Sequence, residues 1–273
     1  MLKDITLGQY FPGDSLMHKI DPRIKIILTI LYVTVVFLAK SVSGFLFITI
    51  FTVLLVAVSK IPPKIVLKGL KPLLLIIIFT VAINIFWTKG ETLLVDFYFI
   101  HIYLEGIMYA VLMIIRISML LAGTGIVLTY TTSPINLTSG IEHLLAPLKI
   151  VKLPVHEFAM MMTIALRFIP ILIEETDKIM NAQKARGADF SNGKLTQRAK
   201  ALIPILIPLF VSAFRRADEL ATAMECRCYR GGENRTRMTV LHLVPADIIV
   251  LAVFVLSGVV IVLCNVYIPI YSI

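Results

Sequence analysis

Long apolar blocks dominate the pattern of hydrophobic and polar positions along the chain. Several are about 20 residues long, a length over which a helix rises about 30 Å, the thickness of the hydrocarbon core of a bilayer. A soluble core would instead place apolar residues at helical or strand spacing among polar ones. The blocks therefore predict five membrane-spanning helices, at residues 24–39, 44–59, 70–87, 106–130 and 246–268.

The first two predicted spans are short for a membrane crossing. Only Lys40 and small polar residues separate them, which favours a tight hairpin that turns at residues 40–43. A re-entrant pair of segments is the alternative interpretation.

The lysine and arginine residues between the spans predict the orientation, because such residues near membrane ends resist translocation. One basic group lies before or at the start of the first span, and a second lies between the second and third spans or at the start of the third: Lys3, Lys19, Arg23 and Lys25, then Lys60, Lys64, Lys68 and Lys71. The connections on the other side hold only Lys40 and Lys89. The distribution predicts a cytoplasmic N-terminal segment at residues 1–23 and an extracellular C-terminus.

The stretch before the last span also belongs to the cytoplasm in this orientation. Residues 131–245 carry fifteen Lys and Arg against ten Asp and Glu. Apolar residues at helical spacing predict three amphipathic helices, at 134–149, 154–186 and 195–228, with Pro204 and Pro208 expected to kink or break the third. The domain prediction is a membrane domain at 24–131, cytoplasmic helices at 132–245 and a last span at 246–273.

Composition and charge agree with a membrane protein. The chain is 58% hydrophobic and 16% charged, more apolar and less charged than soluble domains. Its formal charge of +9 fits retention of basic residues in the cytoplasm better than nucleic-acid binding. Three cysteines form no even-numbered framework, so reduced thiols are expected.

The two long cytoplasmic helices end alike. An offset of 41 residues superposes Arg186 on Arg227. The same offset aligns three further pairs, Asp177 with Asp218, Ile179 with Leu220 and Ala182 with Ala223. Gly187 follows the first arginine directly, and Gly231 with Gly232 follows the second, as in common helix C-terminal caps. The pattern predicts one arginine at each of two helix tips.

These arginines have both a structural and a functional explanation. A cation at a helix C-terminus is favourable by about 0.3–1 kcal/mol through the backbone dipole alone. Recurrence on two adjacent helices, beside the small residues Ala185 and Cys226, favours insertion of each guanidinium group into a partner groove.

Several short stretches carry a family resemblance. They are residues 7–10 (Leu-Gly-Gln-Tyr), 12–15 (Pro-Gly-Asp-Ser), His18, 21–23 (Asp-Pro-Arg), 185–187 (Ala-Arg-Gly) and 225–232. Together they resemble the transmembrane coupling subunit, or T component, of energy-coupling-factor transporters, over nearly the whole chain. Ala185-Arg186-Gly187 matches the Ala-Arg-Gly signature of that family. Cys226-Arg227-Cys228 keeps the arginine and replaces both small neighbours with larger residues.

The resemblance implies an all-α polytopic membrane protein with a mechanical task. Two cytosolic ATP-binding-cassette ATPases would hydrolyse ATP, and a small substrate-binding membrane subunit, the S component, would capture a vitamin or a transition metal. The chain itself would be a non-catalytic subunit without a cofactor. The coupling helices of the family cross in the cytoplasm, and their signature residues meet grooves on the ATPases. By position these residues are Ala185, Arg186 and Gly187, and Cys226, Arg227 and Cys228.

Arg116 is the one charged residue placed far from the ends of a predicted span. Lys25, Lys71 and Asp247 are each the second residue of a span, and Glu105 lies just before one. A charge at the centre of a span costs at least about 2.5 kcal/mol on insertion scales, so Arg116 is expected to face protein, water or a polar partner. Contact with the substrate-binding subunit is one prediction, and snorkelling toward headgroups is the structural alternative.

Two other classes of transporter remain open. An ion-coupled secondary transporter would need intramembrane carboxylates, which the predicted spans lack. A conventional permease of an ATP-binding-cassette importer, with its own substrate path, is the nearer alternative. Cys226 and Cys228 have no second ligand pair for zinc. Gly231-Gly232 lacks the Lys-Ser or Lys-Thr of a phosphate loop, so no ATP site is expected in this chain.

Overall fold

A computed structural model describes residues 10–88, 90, 92–97, 100–151, 154–188, 195–231 and 241–267. The chain forms two compact units. The membrane unit comprises Gly8–Gly140 and Leu241–Ile273, and the coupling unit is built mainly from Ile141–Val240.

The membrane unit is helical, with one small hairpin of strands. Its helices are α1 (Leu16–Lys19), α2 (Pro22–Leu38), α3 (Val42–Ser59), α4 (Pro63–Leu70), α5 (Leu74–Trp87), α6 (Leu104–Thr124) and α10 (Pro245–Tyr267). A 3-10 turn, Lys71–Leu73, joins α4 to α5, and a π-helical turn, Gly125–Thr129, extends α6. The described helices match the five predicted spans closely, so the all-α polytopic membrane fold is confirmed.

Length and composition alone give a slightly different set of spans. Five helical segments among the described residues are long and apolar enough to cross a membrane: Val42–Ser59, Pro63–Trp87, Leu104–Thr129, Val155–Ala185 and Pro245–Tyr267. The predicted first span, α2, has 17 residues and falls just outside this set. The segment Val155–Ala185 falls inside it although the loop charges predict a cytoplasmic position, and its hydropathy of 1.5 is the lowest of the five.

The core of the membrane unit lies around α2. Leu28 and Val36 of α2 have no exposed surface, and they belong to one apolar cluster with Ile48, Ile126 and Ile261. The cluster joins α2 to α3, to the π-helical turn and to α10. The central position of α2 fits a membrane-embedded helix despite its short length.

Tyr32 is the polar side chain in the middle of this core. Its hydroxyl group lies 2.7 Å from the Thr52 hydroxyl and donates to the Met119 carbonyl at 2.9 Å. A Cβ atom on Gly123 would collide with the Tyr32 ring, so α6 approaches α2 closely only because residue 123 is glycine. In lipid a buried hydroxyl group needs such partners, and here they lie on two other helices.

The α2–α3 turn is held by a side chain from α10. Helix α2 ends at Leu38 and α3 begins at Val42, in agreement with the predicted hairpin turn. Asn265 of α10 accepts hydrogen bonds from the backbone N–H groups of Lys40 and Ser41, each at 3.2 Å, and donates to the Leu38 carbonyl at 2.6 Å. The backbone groups of the turn are thereby satisfied without water.

A short antiparallel hairpin precedes α6 and was absent from the sequence prediction. Strand β1 covers Leu93–Phe97 and β2 covers Ile100–Tyr103. This stretch is rich in β-branched and aromatic residues, which favour strands. The signal was present in the sequence, but the long apolar spans on either side obscured it.

The coupling unit contains two long helices, α8 (Val155–Ala185) and α9 (Leu195–Cys226). Helix α7 (Pro134–Leu144) and a 3-10 segment, Ala146–Val151, precede them, so the predicted helix at 134–149 is shorter than expected. Of the predicted kink or break at Pro204 and Pro208, the break is wrong, because α9 continues through both residues, and the kink stays a prediction. Each proline removes only one backbone donor, and the packing of α9 against α8 supports the rest of the helix.

Candidate functional site

Helices α8 and α9 are joined by a polar cluster near the middle of α9. Glu175 of α8 accepts a hydrogen bond from the Ser212 hydroxyl at 3.0 Å and forms an ion pair of 2.6 Å with Arg216. Glu175 and Arg216 are related by the same offset of 41 residues that aligns the two tips. The cluster fixes the register between the two helices.

The tip of α8 is a Schellman cap. The Ala188 N–H donates to the Gln183 carbonyl at 3.0 Å, and the Gly187 N–H donates to the Lys184 carbonyl at 2.9 Å. Gly187 has a φ of 87°, the left-handed conformation that this cap requires. Arg186 is the C-cap residue, immediately before the reversal of the chain.

The tip of α9 has the same backbone arrangement. The Tyr229 N–H donates to the Met224 carbonyl at 3.0 Å, and the Cys228 N–H donates to the Glu225 carbonyl at 2.9 Å. The left-handed residue is Cys228, with a φ of 55°, which an L-residue adopts at a cost of about 1–2 kcal/mol. The prediction that Gly231 or Gly232 caps this helix is wrong: the cap lies three residues before Gly231, and Gly232 is outside the described residues.

Both arginines lie in equivalent positions, one residue before the left-handed residue of each cap. Arg186 and Arg227 are exposed, as are Ala185, Gly187, Cys226 and Cys228, the other signature residues. Within the described part of the chain, neither guanidinium group has a hydrogen bond or an ion pair. The structure therefore presents two similar, exposed cationic tips on rigid caps.

A shallow apolar groove runs between α8 and α9 behind the tips. It encloses about 300 Å³. It is lined mainly by Ile164, Phe168 and Leu172 of α8 and by Ala213, Leu220 and Met224 of α9. Arg216 also contributes to its wall, so the cluster that joins the helices borders the groove.

Most of the charged residues in each long helix lie in its second half. Phe158, Met161 and Met162 are exposed near the start of α8, whereas all four acidic and basic residues at 174–178 lie in its second half. In α9, Phe210 and Phe214 are exposed, and Phe214 directly precedes the pair Arg215-Arg216. The mostly apolar first half explains why α8 has the composition of a membrane span.

Arg116 belongs to the membrane unit and has partners within this chain. Its Nη2 donates to the Ala39 carbonyl at 2.8 Å, and its guanidinium carbon lies 4.9 Å from the centre of the Phe45 ring. The prediction of a packed position agrees with these contacts. The predicted contact with a second membrane subunit stays a prediction.

The thiol groups show no metal site. Cys226, Cys228 and Cys264 are free, and the first two are exposed. Across the described residues, no group of three or more His, Cys, Asp and Glu side chains lies in a position to hold a metal ion.

Two charged residues of the membrane unit are buried, which the sequence did not indicate. Lys25 was counted with the cytoplasmic cations before the first span, but it lies inside α2 with only 2% of its surface exposed. Asp247 was assigned to a segment end and does lie in the first turn of α10, but its carboxylate is also buried. Helical spacing gave no signal for either, because their partners come from distant parts of the sequence.

Fold and site together define a helical, polytopic membrane protein with two long helices that end in paired arginine caps. Residues 13–240 match the cobalt transport protein family, CbiQ. The chain is 58% identical to the energy-coupling factor transporter transmembrane protein EcfT of Ruminiclostridium cellulolyticum, over 93% of this chain and 95% of the relative. It is 54% identical to the EcfT protein of Clostridium kluyveri, over 91% of this chain and 92% of that relative.

A more distant relative gives the same result. The EcfT protein of Bacillus subtilis is 47% identical over 87% of this chain and 89% of its own length. The chain therefore belongs to the family of energy-coupling factor transporter transmembrane proteins, as its signature residues had indicated.

Proposed function

We propose that this chain transmits ATP-driven motion from two cytosolic ATP-binding-cassette ATPases to a separate substrate-binding membrane subunit. The observation that carries this proposal is the pair of exposed arginines, Arg186 and Arg227, on matching Schellman caps. One such arginine would be explained by the helix dipole alone. Two in the same backbone geometry suit two similar partner grooves.

The caps make each arginine suitable for insertion into a partner. A Schellman cap holds the last turn of the helix, so little backbone order is lost on binding. The residues on either side of each arginine are small or medium in size, which lets the guanidinium group extend beyond them. Arginine is also a residue type enriched at interface hot spots. Docking would bury Arg186 and Arg227 with their neighbours Ala185, Gly187, Cys226 and Cys228.

The two halves of the long helices suggest two kinds of contact. The charged second halves would face the ATPases in the cytoplasm. The exposed apolar side chains of the first halves, such as Met161 and Phe210, would be covered by lipid or by the substrate-binding subunit. In this arrangement ATP hydrolysis belongs to the partners, and this chain has no catalytic role or cofactor.

The proposed orientation places both tips inside the cell. The N-terminus is cytoplasmic, the C-terminus is extracellular, and residues 132–245 are cytoplasmic, as the distribution of lysine and arginine favours. The substrate would be a vitamin or a transition metal, chosen by the other membrane subunit. Family membership favours this function over a conventional permease or an ion-coupled transporter.

Co-purification tests the proposal directly. The tagged chain, isolated from its native membrane, should retain two ATPases and a small membrane subunit, identified by mass spectrometry. A conventional permease would retain ATPases without the small membrane subunit, and an ion-coupled transporter would retain neither.

Charge reversal tests the role of the tips. Arg186→Glu with Arg227→Glu should release the ATPases, because loss of one buried interfacial charge typically costs about 2–5 kcal/mol, more than tenfold in affinity. Lys178→Glu with Arg215→Glu is the matched control, since both residues are exposed on the bodies of the same helices.

Both pairs should be compared at equal protein levels in one membrane preparation. Bound ATPase and uptake of the vitamin held by the co-purified subunit are measured together. Normal binding and normal uptake in the tip variant would leave both arginines as helix caps only.

A further inference from the structure

The chain passes between its two units twice, leaving the membrane unit after Gly140 and returning at Leu241. Within the membrane unit, both of these regions are attached to one short segment, residues 21–25 (Asp-Pro-Arg-Ile-Lys). The segment forms the N-terminus of α2, which is the central helix of the core.

Lys25 attaches the region that leads out of the membrane unit. Its ammonium group donates to the Thr131 carbonyl at 2.8 Å, to the Thr132 hydroxyl at 3.1 Å and to the His18 carbonyl at 3.4 Å. An ammonium group has three donors, so its capacity is fully used. Thr131 and Thr132 directly follow the π-helical turn and precede α7.

Packing of α7 strengthens this attachment. A Cβ atom on Gly140 would lie 3.0 Å from Pro22 Cβ and 3.3 Å from the Arg23 backbone nitrogen. The last residue of the membrane unit before the crossing therefore lies against the first turn of α2.

Arg23 and Asp21 attach the region that returns to the membrane unit. Arg23 Nη2 donates to the Leu241 carbonyl at 2.8 Å. The Asp21 N–H donates to Asp247 Oδ1 at 3.1 Å, and the Val244 N–H donates to Asp247 Oδ2 at 2.8 Å. The first residues after the crossing are thereby linked to the same turn of α2.

We propose that residues 21–25 form a joint that transfers displacement of the coupling unit to α2, with Arg23 and Lys25 as positioning residues. This inference rests on the proposed coupling function. Both charged side chains bond to backbone carbonyl groups, so a shift of either chain segment acts on α2 directly. Leu28, Tyr32 and Val36 would then distribute the shift, because they pack against three neighbouring elements.

Hydrogen–deuterium exchange of the complete complex tests the joint without knowledge of the substrate. MgATP is the probe, added to the chain assembled with its ATPases and membrane subunit in lipid nanodiscs. In the native chain, MgATP should alter exchange both at the tips of α8 and α9 and in peptides that contain Thr131, Thr132 and α2.

Lys25→Met and Arg23→Gln should separate these two responses. Lys25→Met removes the ammonium donor and preserves most of the side-chain volume. Arg23→Gln removes the guanidinium group that donates to the Leu241 carbonyl, and the shorter glutamine amide does not extend as far. Exchange at the tips should respond to MgATP as in the native chain, while the response in α2 falls at least threefold. Lys19→Met is the matched control, because Lys19 is exposed on the neighbouring helix α1 and should keep both responses.

Stability alone would give a different result. If Lys25 and Arg23 only stabilised the fold, the variants would lower the unfolding temperature but leave the response of α2 to MgATP unchanged in intact complexes. That result would overturn the proposal that residues 21–25 form a joint. If the Lys25→Met chain fails to assemble, Arg23→Gln alone tests the proposed joint. The Arg23 side chain is 24% exposed, so it is easier to replace than the buried Lys25. Absence of any MgATP response at the tips of the native complex would contradict the coupling function instead.

Discussion

Arg116 and Ala39 are joined by a hydrogen bond of 2.8 Å, from the guanidinium group on α6 to the carbonyl group of the residue that ends α2. A helix C-terminus carries a partial negative charge, so the cation lies where the backbone favours it. The sequence placed Arg116 near the middle of its own span. The structure shows that it lies level with the end of α2, and its aromatic neighbour Phe45 further offsets the cost of the charge.

Replacement of Arg116 should therefore destabilise the chain itself. Arg116→Leu removes a charged donor from a partly buried carbonyl group, and we expect a loss of about 1.5–3 kcal/mol in the free energy of unfolding. Arg116→Lys should lose less, because it keeps a cation beside the helix end. Thermal unfolding in one detergent, followed by intrinsic fluorescence, measures both variants. An unchanged midpoint for Arg116→Leu would show that the hydrogen bond to Ala39 contributes nothing to stability.

The two caps differ in one residue whose effect can be measured. Cys228 adopts a left-handed conformation that costs an L-residue about 1–2 kcal/mol, whereas Gly187 adopts it freely. Cys228→Gly should stabilise the end of α9 by about 0.5–1 kcal/mol after the greater flexibility of glycine in the unfolded chain is subtracted. Amide exchange at residues 226–229 should become slower.

Gly187→Ala is the reciprocal change at the other tip. Apart from its chain neighbours, no atom of the described residues lies within 4 Å of the added Cβ position, so the substitution tests backbone strain without a change in packing. Exchange at the end of α8 should become faster, by a factor that corresponds to about 1 kcal/mol. Equal exchange in both variants and the native chain would mean that the left-handed conformation at residues 187 and 228 has no measurable free-energy cost.

The membrane helices were predictable because lipid imposes a simple constraint. A span needs about 20 apolar residues in sequence, and that pattern is visible without any tertiary information. The predicted span at 44–59 corresponds to Val42–Ser59, and the one at 246–268 corresponds to Pro245–Tyr267. The arginine tips were predictable for a similar reason, because helix caps are local.

Features that depend on distant residues were not predictable from the pattern. Lys25 looks like a cytoplasmic cation because its partners, Thr131 and Thr132, lie more than 100 positions away. The left-handed Cys228 was hidden because glycines nearby offered a more usual cap. Prolines 204 and 208 suggested a break in α9 because sequence propensity omits the packing of that helix on α8.

The ion pair between Glu175 and Arg216 should hold α8 and α9 in register. Glu175→Arg places two cations together and should weaken the contact, and Glu175→Arg with Arg216→Glu should restore it. We expect a coupling energy of about 1 kcal/mol or less in a double-mutant cycle, because both side chains are partly exposed. Cross-linking between cysteines introduced on the two helices, at matched expression, reports the register. Failure of the double variant to recover would assign the effect to Ser212 or to packing.

Helices α2 and α8 offer the sharpest test of the membrane arrangement, because composition and loop charge disagree about them. Helix α8 has the composition of a span, yet the lysine and arginine distribution places it in the cytoplasm. Helix α2 is one residue shorter than the shortest of the five candidate segments, α3, yet it lies at the centre of the core. A helix that crosses the membrane must have its two ends on opposite sides.

Single cysteines at the ends of the two helices distinguish these arrangements. The native cysteines are first replaced, and a membrane-impermeant maleimide is added to intact cells. It should label Lys40→Cys, which follows α2. It should not label Lys19→Cys, which precedes α2. Glu157→Cys and Lys184→Cys, near the two ends of α8, should both stay unlabelled until the membrane is permeabilised, because the loop charges place both in the cytoplasm. A reporter fused after Ile273 should be extracellular. Labelling of Glu157→Cys from outside, with Lys184→Cys protected, would show that α8 spans the membrane. Only the end of α8 with its arginine tip would then be available to an ATPase.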